Sequence, residues 1–275
     1  MKLATLRTGD GTRAVRVDGD RFFDLGVPDV GVLLADPSWQ RTAATATRPI
    51  STGPVADFAP VVPHPGKVIC VGLNYRSHIR EMGREIPEFP TLFAKYPEAL
   101  IGATDTIELA PESESVDWEA ELAVVIGATV RRASSDRAAA AIAGFAVLND
   151  VTMRDWQYRT PQWLQGKTFE RTTPFGPVLT TPDELPGGVR PTLDISCIVD
   201  GEIVQKAGTG DLVFDPVNLV EYISTILTLR PGDVIATGTT GGVGHARKPP
   251  RYLSDGSRVV TEISGIGRLD NVARR

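Results

Sequence analysis

Asp117-Trp118-Glu119-Ala120-Glu121-Leu122-Ala123-Val124-Val125-Ile126-Gly127 is the stretch on which the reading of this chain turns. Its second half is a short apolar run closed by glycine, the pattern of a buried β-strand. Side chains alternate across a strand. Glu119 and Glu121 therefore share a face, and Asp117 joins them if the strand already runs there. Trp118, Ala120 and Leu122 take the other face. Carboxylates side by side against an apolar strand repel one another and resist desolvation. They need a shifted pKa, a cationic partner or a metal. Oxygen ligands in this number suit Mg²⁺, Mn²⁺ or Ca²⁺ better than Zn²⁺. The competing reading is a solvated edge strand with three acids on its wet face.

Working outward, 275 residues hold one large domain, or one domain with a small appendage. With 41% hydrophobic and 23% charged residues, the chain reads as an ordinary globular protein. A net charge of -5 argues against a nucleic-acid partner, which calls for a basic surface. Cys70 and Cys197 each sit in an apolar, strand-like run. They read as reduced core residues of a cytoplasmic protein, not as a disulfide. No stretch is long and apolar enough to span a membrane. The first residues lack the apolar core of a signal peptide.

The chain divides near residue 60. Short β-like runs at Lys2 to Thr8, Arg13 to Val17 and Arg21 to Leu25 are separated by Gly9, Gly11 and Gly19. A short helix is expected over Val30 to Leu34. The proline-rich connector Pro60 to Gly66 cannot be regular helix. Residues 1–60 read as a small N-terminal β/α domain and 61–275 as a larger one. In the larger part strands are expected at Lys67 to Val71, Thr91 to Lys95, Glu119 to Ile126, Phe145 to Asn149, Val178 to Thr181 and Thr192 to Val199. Asp233 to Ala236 and Arg258 to Ile263 follow. Helices are expected at Ser134 to Ala143, stopped by Gly144, and at Pro216 to Leu227, capped by Asp215. Asp200-Gly201 marks a hairpin. The class is α+β and β-rich, a distorted barrel or roll of mixed sheets.

Asp150 ends an apolar run, Gly144 to Asn149, where a strand fixes the backbone and a loop opens to solvent. It is placed to be a further oxygen ligand. Arg154 and Gln157, three residues apart, fall on one face of a helical turn and can reach the same substrate. So can His78 and Glu81, and a carboxylate beside a histidine is a common general-base arrangement. His64 and His245 lie in Pro/Gly-rich segments without such a partner. Lys167 follows Gly166 in an uncharged stretch and could serve as a fixed cation for an oxyanion, or simply snorkel at the surface. The run Thr237-Gly238-Thr239-Thr240-Gly241-Gly242 lets backbone N–H groups approach an anion closely. It is neither a P-loop nor a dinucleotide fingerprint.

Together these segments resemble the fumarylacetoacetate hydrolase family, in its shorter bacterial-type members. The resemblance covers about residues 66–271. It rests on Gly-Leu-Asn-Tyr-x-x-His-x-x-Glu at 72–81, Asp-x-Glu-x-Glu at 117–121 and Asn-Asp-x-Thr-x-Arg-Asp-x-Gln at 149–157. Gln-Trp-x-x-x-Lys at 162–167, Pro-Phe-Gly-Pro at 174–177 and Pro-Gly-Asp-Val-Ile-x-Thr-Gly-Thr at 231–239 complete it. The resemblance implies a mixed β-sandwich roll with a small N-terminal domain, usually in dimers or larger assemblies, with a homodimer expected here. It implies Mg²⁺ or Mn²⁺ held by Glu119, Glu121 and Asp150, with Asp117 outside the ligand set. It implies His78 and Glu81 as the acid/base pair. Lys167 is expected to be catalytic, and Arg154, Gln157, Thr239 and Gly238 to meet substrate. Thr240 stands where many relatives have proline, and substrate preference in the family varies over Gly83 to Pro90.

The expected activity is hydrolysis of a carbon–carbon bond in a β-diketo acid of the acylpyruvate or fumarylpyruvate type, as in aromatic catabolism. Three carboxylates leave coordination positions open for two oxygens of a keto acid. The alternative is an isomerase or decarboxylase of a related 2-keto or 2-hydroxy-dienoic acid. A metal-stabilised binding module without turnover is the rival from outside catalysis. Fold does not choose among these.

Overall fold

The computed structural model describes residues 1–51 and 56–275. The chain begins with β1 (Lys2–Thr8), β2 (Gly11–Asp18) and β3 (Arg21–Asp24), helices α1 (Val30–Leu34) and α2 (Trp39–Thr45), and β4 (Pro49–Ile50). Next come β5 (Val68–Gly72), α3 (Arg76–Glu81), β6 (Thr91–Lys95), β7 (Leu100–Ile101), β8 (Ile107–Glu108), β9 (Val116–Asp117) and β10 (Ala120–Ile126). Then follow α4 (Ser135–Ala140), β11 (Ile142–Asn149), β12 (Thr152–Met153), α5 (Arg154–Gln157), α6 (Leu164–Lys167) and β13 (Thr173–Thr180). The last third holds β14 (Asp194–Val199), β15 (Glu202–Gly208), α7 (Pro216–Ile226), β16 (Val234–Thr239), β17 (Arg258–Ile263) and β18 (Gly267–Arg274).

Two sheets carry the architecture. The larger runs β4-β3-β2-β1-β13-β11-β10-β16-β5-β6, with β7 beside β13, and the smaller runs β15-β14-β17-β18-β8. β16 and β5 are parallel while β10 is antiparallel to both its neighbours, so the large sheet is mixed. β1 pairs with β13, so the N-terminal strands continue the large sheet. This is the β-rich α+β roll expected of the sequence.

Period-two alternation on β10 decides how the layers meet. Trp118, Ala120, Leu122, Val124 and Ile126 pack into the core that also takes Ile195, Cys197, Val259 and Leu269 of the small sheet. Ala123 and Val125 join the opposite core, with Cys70 and with Leu33 and Trp39 of the N-terminal helices. The two cysteines thus lie in different cores, both free and buried. Each buried Val, Leu or Ile contributes about 1.5–3 kcal/mol relative to exposure. That gain offsets the several kcal/mol that each charge held out of water costs at the other end of β10.

Local signals are kept where the chemistry is unambiguous. Asp215 caps α7, its Oδ1 accepting from the N–H groups of Val217 and Asn218 at 2.8 and 2.9 Å. Asp200 and Gly201 turn the β14–β15 hairpin with φ of 52° and 85°, the left-handed pair of a type I′ turn. Gly144 does not stop a helix. α4 ends at Ala140, and Gly144 lies inside β11, where a Cβ would stand 2.4 Å from the Thr180 carbonyl oxygen. The glycine is there to let two strands approach. Strand β18 is not expected from the sequence, because its inward positions include Asn271, whose amide donates to the carbonyls of Gly102 and Asp105. No helix among the described residues is long and apolar enough to cross a membrane.

Candidate active site

The competing reading of the opening stretch, a wet edge strand, is excluded by the sheet. β10 is central, flanked by β11 and β16, and Glu119 and Glu121 are 7% and 1% exposed. Asp117 sits on β9, Trp118 and Glu119 form the break that follows, and Glu121 lies on β10. Two hydrogen bonds from backbone N–H groups fix the break. Glu119 N–H donates to the Asn149 side chain at 2.9 Å, and Asp150 N–H donates to the Glu119 carbonyl at 2.8 Å. The ends of β10 and β11 are thereby locked together, and Asp150 is brought beside the two glutamates.

Carboxylate oxygens of Glu119, Glu121 and Asp150 lie within 4.8 Å of one another, and all three residues are buried. Three cations surround them. Lys167 Nζ is 2.6 Å from Glu119 Oε2 and 2.8 Å from Asp150 Oδ2. Arg154 bridges Asp117 through Nε at 2.8 Å and Glu119 through Nη2 at 2.7 Å. Lys95 Nζ donates to Asp150 Oδ1 at 2.6 Å and to the Val151 carbonyl at 3.0 Å. Asp117 completes the support, accepting from the N–H groups of Gly244 and His245 at 2.7 and 2.9 Å.

Four buried carboxylates thus face three buried cations, and the unmatched charge falls on Glu121. Among the described residues its one hydrogen bond comes from the Gly238 N–H at 2.8 Å. Burial, and then Asp150 and Glu119 beside it, push its carboxyl well above the usual range. Burial opposes ionisation of Asp150 as well, but Lys167 and Lys95 overcome it and hold that carboxyl below its ordinary value. Lys167 is raised despite its burial, because Asp150 and Glu119 favour the ammonium. A cluster of three hard oxygen donors, one of them a carboxyl that no cation of the protein pairs with, fits a divalent cation, which would favour the ionised form of Glu121.

The glycine segment at the end of β16 and just beyond it serves the protein's own anions. Gly238, at φ 99°, lies in a bulge opposite Leu122, between the Glu121–Thr239 and Ala123–Ala236 pairs, and its N–H is aimed at the Glu121 carboxylate. A Cβ there would lie 2.8 Å from the Val71 carbonyl oxygen. Gly242 N–H reaches Glu81 Oε2 at 3.3 Å, and a Cβ on Gly241 would stand 2.8 Å from the same oxygen. Glu81 in turn lies 3.1 Å from His78 Nδ1 on α3. The helical spacing therefore does bring this pair together.

A pocket of about 310 Å³ opens over the carboxylates. Glu119, Glu121, Arg154, Gln157, Lys167, Thr239 and His78 all line it. Gly238 does not, its N–H being spent on Glu121. Arg154 and Gln157 hold each other, Nη1 donating to Oε1 at 2.9 Å. Gln205, reaching across from β15, accepts from Ala120 N–H at 2.9 Å and donates to Thr239 Oγ1 at 2.8 Å. Lys95, Asn149 and Gln205 are the supports that sequence reasoning missed. Only Asn149 carried a local hint, its place beside Asp150.

An apolar wall is made by Phe93 and Trp163, edge to face with centroids 5.4 Å apart. Gly72 makes room for it, since a Cβ there would fall 2.5 Å from the Trp163 ring. Gly72→Ala should drive the indole into the pocket and raise KM by about tenfold, as for a misplaced positioning group. Metal affinity, measured by calorimetry, should not move. Steady-state kinetics with an unchanged KM would show that the indole is free to retreat.

Comparison with known proteins agrees with this geometry. The family described as fumarylacetoacetate (FAA) hydrolase, C-terminal, matches residues 67–274. A mitochondrial oxaloacetate tautomerase of Rattus norvegicus is 44% identical over 232 residues, covering 84% of this chain and 74% of that protein. A fumarylacetoacetate hydrolase from Exiguobacterium antarcticum superposes with a TM-score of 0.87 at 32% identity, covering 100% of this chain and 99% of that one. A 5-carboxymethyl-2-hydroxymuconate delta-isomerase from Mycobacterium smegmatis gives a TM-score of 0.78 at 32% identity, with the same coverage. Motifs, fold and a buried carboxylate triad thus converge, and the chain belongs to the fumarylacetoacetate hydrolase family.

Proposed function

We propose that this protein catalyses keto–enol interconversion of a short 2-oxo acid, with Mg²⁺ or Mn²⁺ held by Glu119, Glu121 and Asp150. The observation that carries the reading is convergence: Glu119 and Glu121 of the triad, Arg154, Lys167 and His78 line one compact pocket, with Asp150 bonded to Lys167 and Glu81 to His78. Its volume of about 310 Å³ is at the small end for ligand sites, about 300–1,000 Å³, which suits a substrate of a few carbons. When bound at the triad, a divalent cation supplies Lewis acidity and favours negative charge on adjacent carbonyl oxygens. Lys167 and Arg154 hold the ligand carboxylates in place while bordering the substrate space. Gln157 is kept in one rotamer by Arg154 and offers its amide to a substrate oxygen. His78, anchored through Nδ1 by Glu81, takes or returns a proton at Nε2. Keto–enol exchange asks for only that one transfer from carbon and its return to oxygen. The tautomerase name of the Rattus norvegicus relative supports the same choice.

A second reading is favoured by one feature, the carboxylate behind His78. That arrangement also suits activation of water, so hydrolysis of an acylpyruvate or fumarylpyruvate-type β-diketo acid follows from the same residues. The hydrolase name of the Exiguobacterium antarcticum relative supports it.

A product assay separates the two. Protein with Mg²⁺ is mixed with freshly dissolved enol oxaloacetate and, separately, with acylpyruvates, while enol absorbance and products are followed. Fast loss of the oxaloacetate enol without carbon–carbon cleavage is expected. Stoichiometric pyruvate from the acylpyruvates, with no effect on oxaloacetate, would replace the first reading by the second.

A further inference from the structure

We propose that Arg84 recognises a second, distal carboxylate, so that the enzyme selects 2-oxo diacids over 2-oxo monoacids; this rests on the 2-oxo acid reading above. The argument starts from charge. Besides His78, the pocket is lined by three basic residues, Arg84, Arg154 and Lys167. Arg154 and Lys167 are neutralised by Asp117, Glu119 and Asp150. Among the described residues Arg84 has no ion-pair partner, so its positive charge is the one the protein leaves unmatched at the pocket wall. An exposed guanidinium at the rim of a compact anion-binding pocket offers a planar fork that matches a carboxylate.

The backbone shows why Arg84 is fixed there. Helix α3 ends with Gly83 at φ 63°. Gly83 N–H donates to the Arg80 carbonyl at 2.9 Å and Arg84 N–H to the Ile79 carbonyl at 3.0 Å. These two bonds make a Schellman motif with Arg84 at its last position. That position frequently carries an apolar residue packed on the helix, and Ile79 is fully buried and available for it. Here the position carries a cation that lines the pocket instead. Its backbone is tied to the same helix that holds His78 and Glu81. A carboxylate bound at Arg84 therefore also holds the helix that presents the base.

The test is calorimetry on Mg²⁺-loaded protein with matched acids: oxaloacetate against 2-oxobutyrate, and 2-oxoglutarate against 2-oxovalerate. Wild type should bind at least one diacid about tenfold more tightly than its matched monoacid, as one charge-assisted pair provides. Arg84→Gln should bring that diacid to the monoacid level and leave the monoacid unchanged. Arg84→Lys should recover part of the preference. The proposal is overturned if wild type shows no diacid preference, or if Arg84→Gln weakens both members of a pair equally or neither. Binding of none of the four acids to wild type would overturn the 2-oxo acid reading along with it, whereas loss of the preference alone leaves that reading standing.

Discussion

Glu121→Gln should make the metal-free protein more stable and the metal-bound protein unattainable at ordinary Mg²⁺ concentrations. Among the described residues Glu121 is the one carboxylate of the cluster in no ion pair; burial opposes its charge, and its neighbours Asp150 and Glu119 repel it. Glutamine keeps the shape and can still accept the Gly238 N–H, but it removes the repulsion. Each kcal/mol relieved should raise the melting temperature by about 2–4 °C in a chain of this size. The same change deletes a ligand. Mg²⁺ affinity should fall by at least about 10²-fold, beyond the loss typical of an outer-shell partner, and turnover should fall with it. Calorimetric melts with and without Mg²⁺ read both effects. A melting temperature below wild type, with the Mg²⁺-induced shift retained, would remove Glu121 from the ligand set.

Lys167→Met should move stability the other way. Its ammonium touches two carboxylates at once and is almost fully buried. Removing one partner of such a cluster costs about 3–5 kcal/mol, because the remaining charges stay buried. The metal-free variant should melt well below wild type, and Mg²⁺ should stabilise it by more than it stabilises wild type. Turnover should fall by about 10²–10³, the loss expected for one electrostatic contact to the reacting oxygen. A rise in KM with kcat intact would confine Lys167 to binding the substrate carboxylate. Kinetics and stability both unchanged would make it a bystander.

Much of this site was legible in the chain because strand periodicity is a strong local rule. Glu119 and Glu121 could be put on one face from sequence alone, and a strand ending at Asn149 placed Asp150 at a strand mouth. His78–Glu81 and Arg154–Gln157 follow from the three-residue spacing of a helical turn. What stayed hidden is long-range. Lys95 reaches Asp150 across 55 positions and Gln205 reaches Ala120 across 85. At position 95 the sequence shows only a lysine closing an ordinary strand. Alternation puts Asp117 with the glutamates only if the strand already runs there; the chain leaves strand at Trp118 and Glu119, and that carboxylate turns to Arg154 and to the Gly244–His245 backbone. The glycine segment was readable as an anion-approaching loop. That its anions are Glu121 and Glu81 of the same chain depends on how β16 lies beside β10 and α3. Gly144 shows the same limit from the other side, since a helix stop and a close strand contact both call for glycine.

The claim that joins these observations is that a divalent cation at the triad is required for chemistry on a 2-oxo acid. The direct test follows the enol absorbance of oxaloacetate with three preparations of wild type: as purified, stripped by chelator with metal loss checked by elemental analysis, and restored with Mg²⁺. Enol loss should be fast, absent and fast again, while Glu121→Gln stays inactive throughout. Full activity in the stripped enzyme would contradict the account.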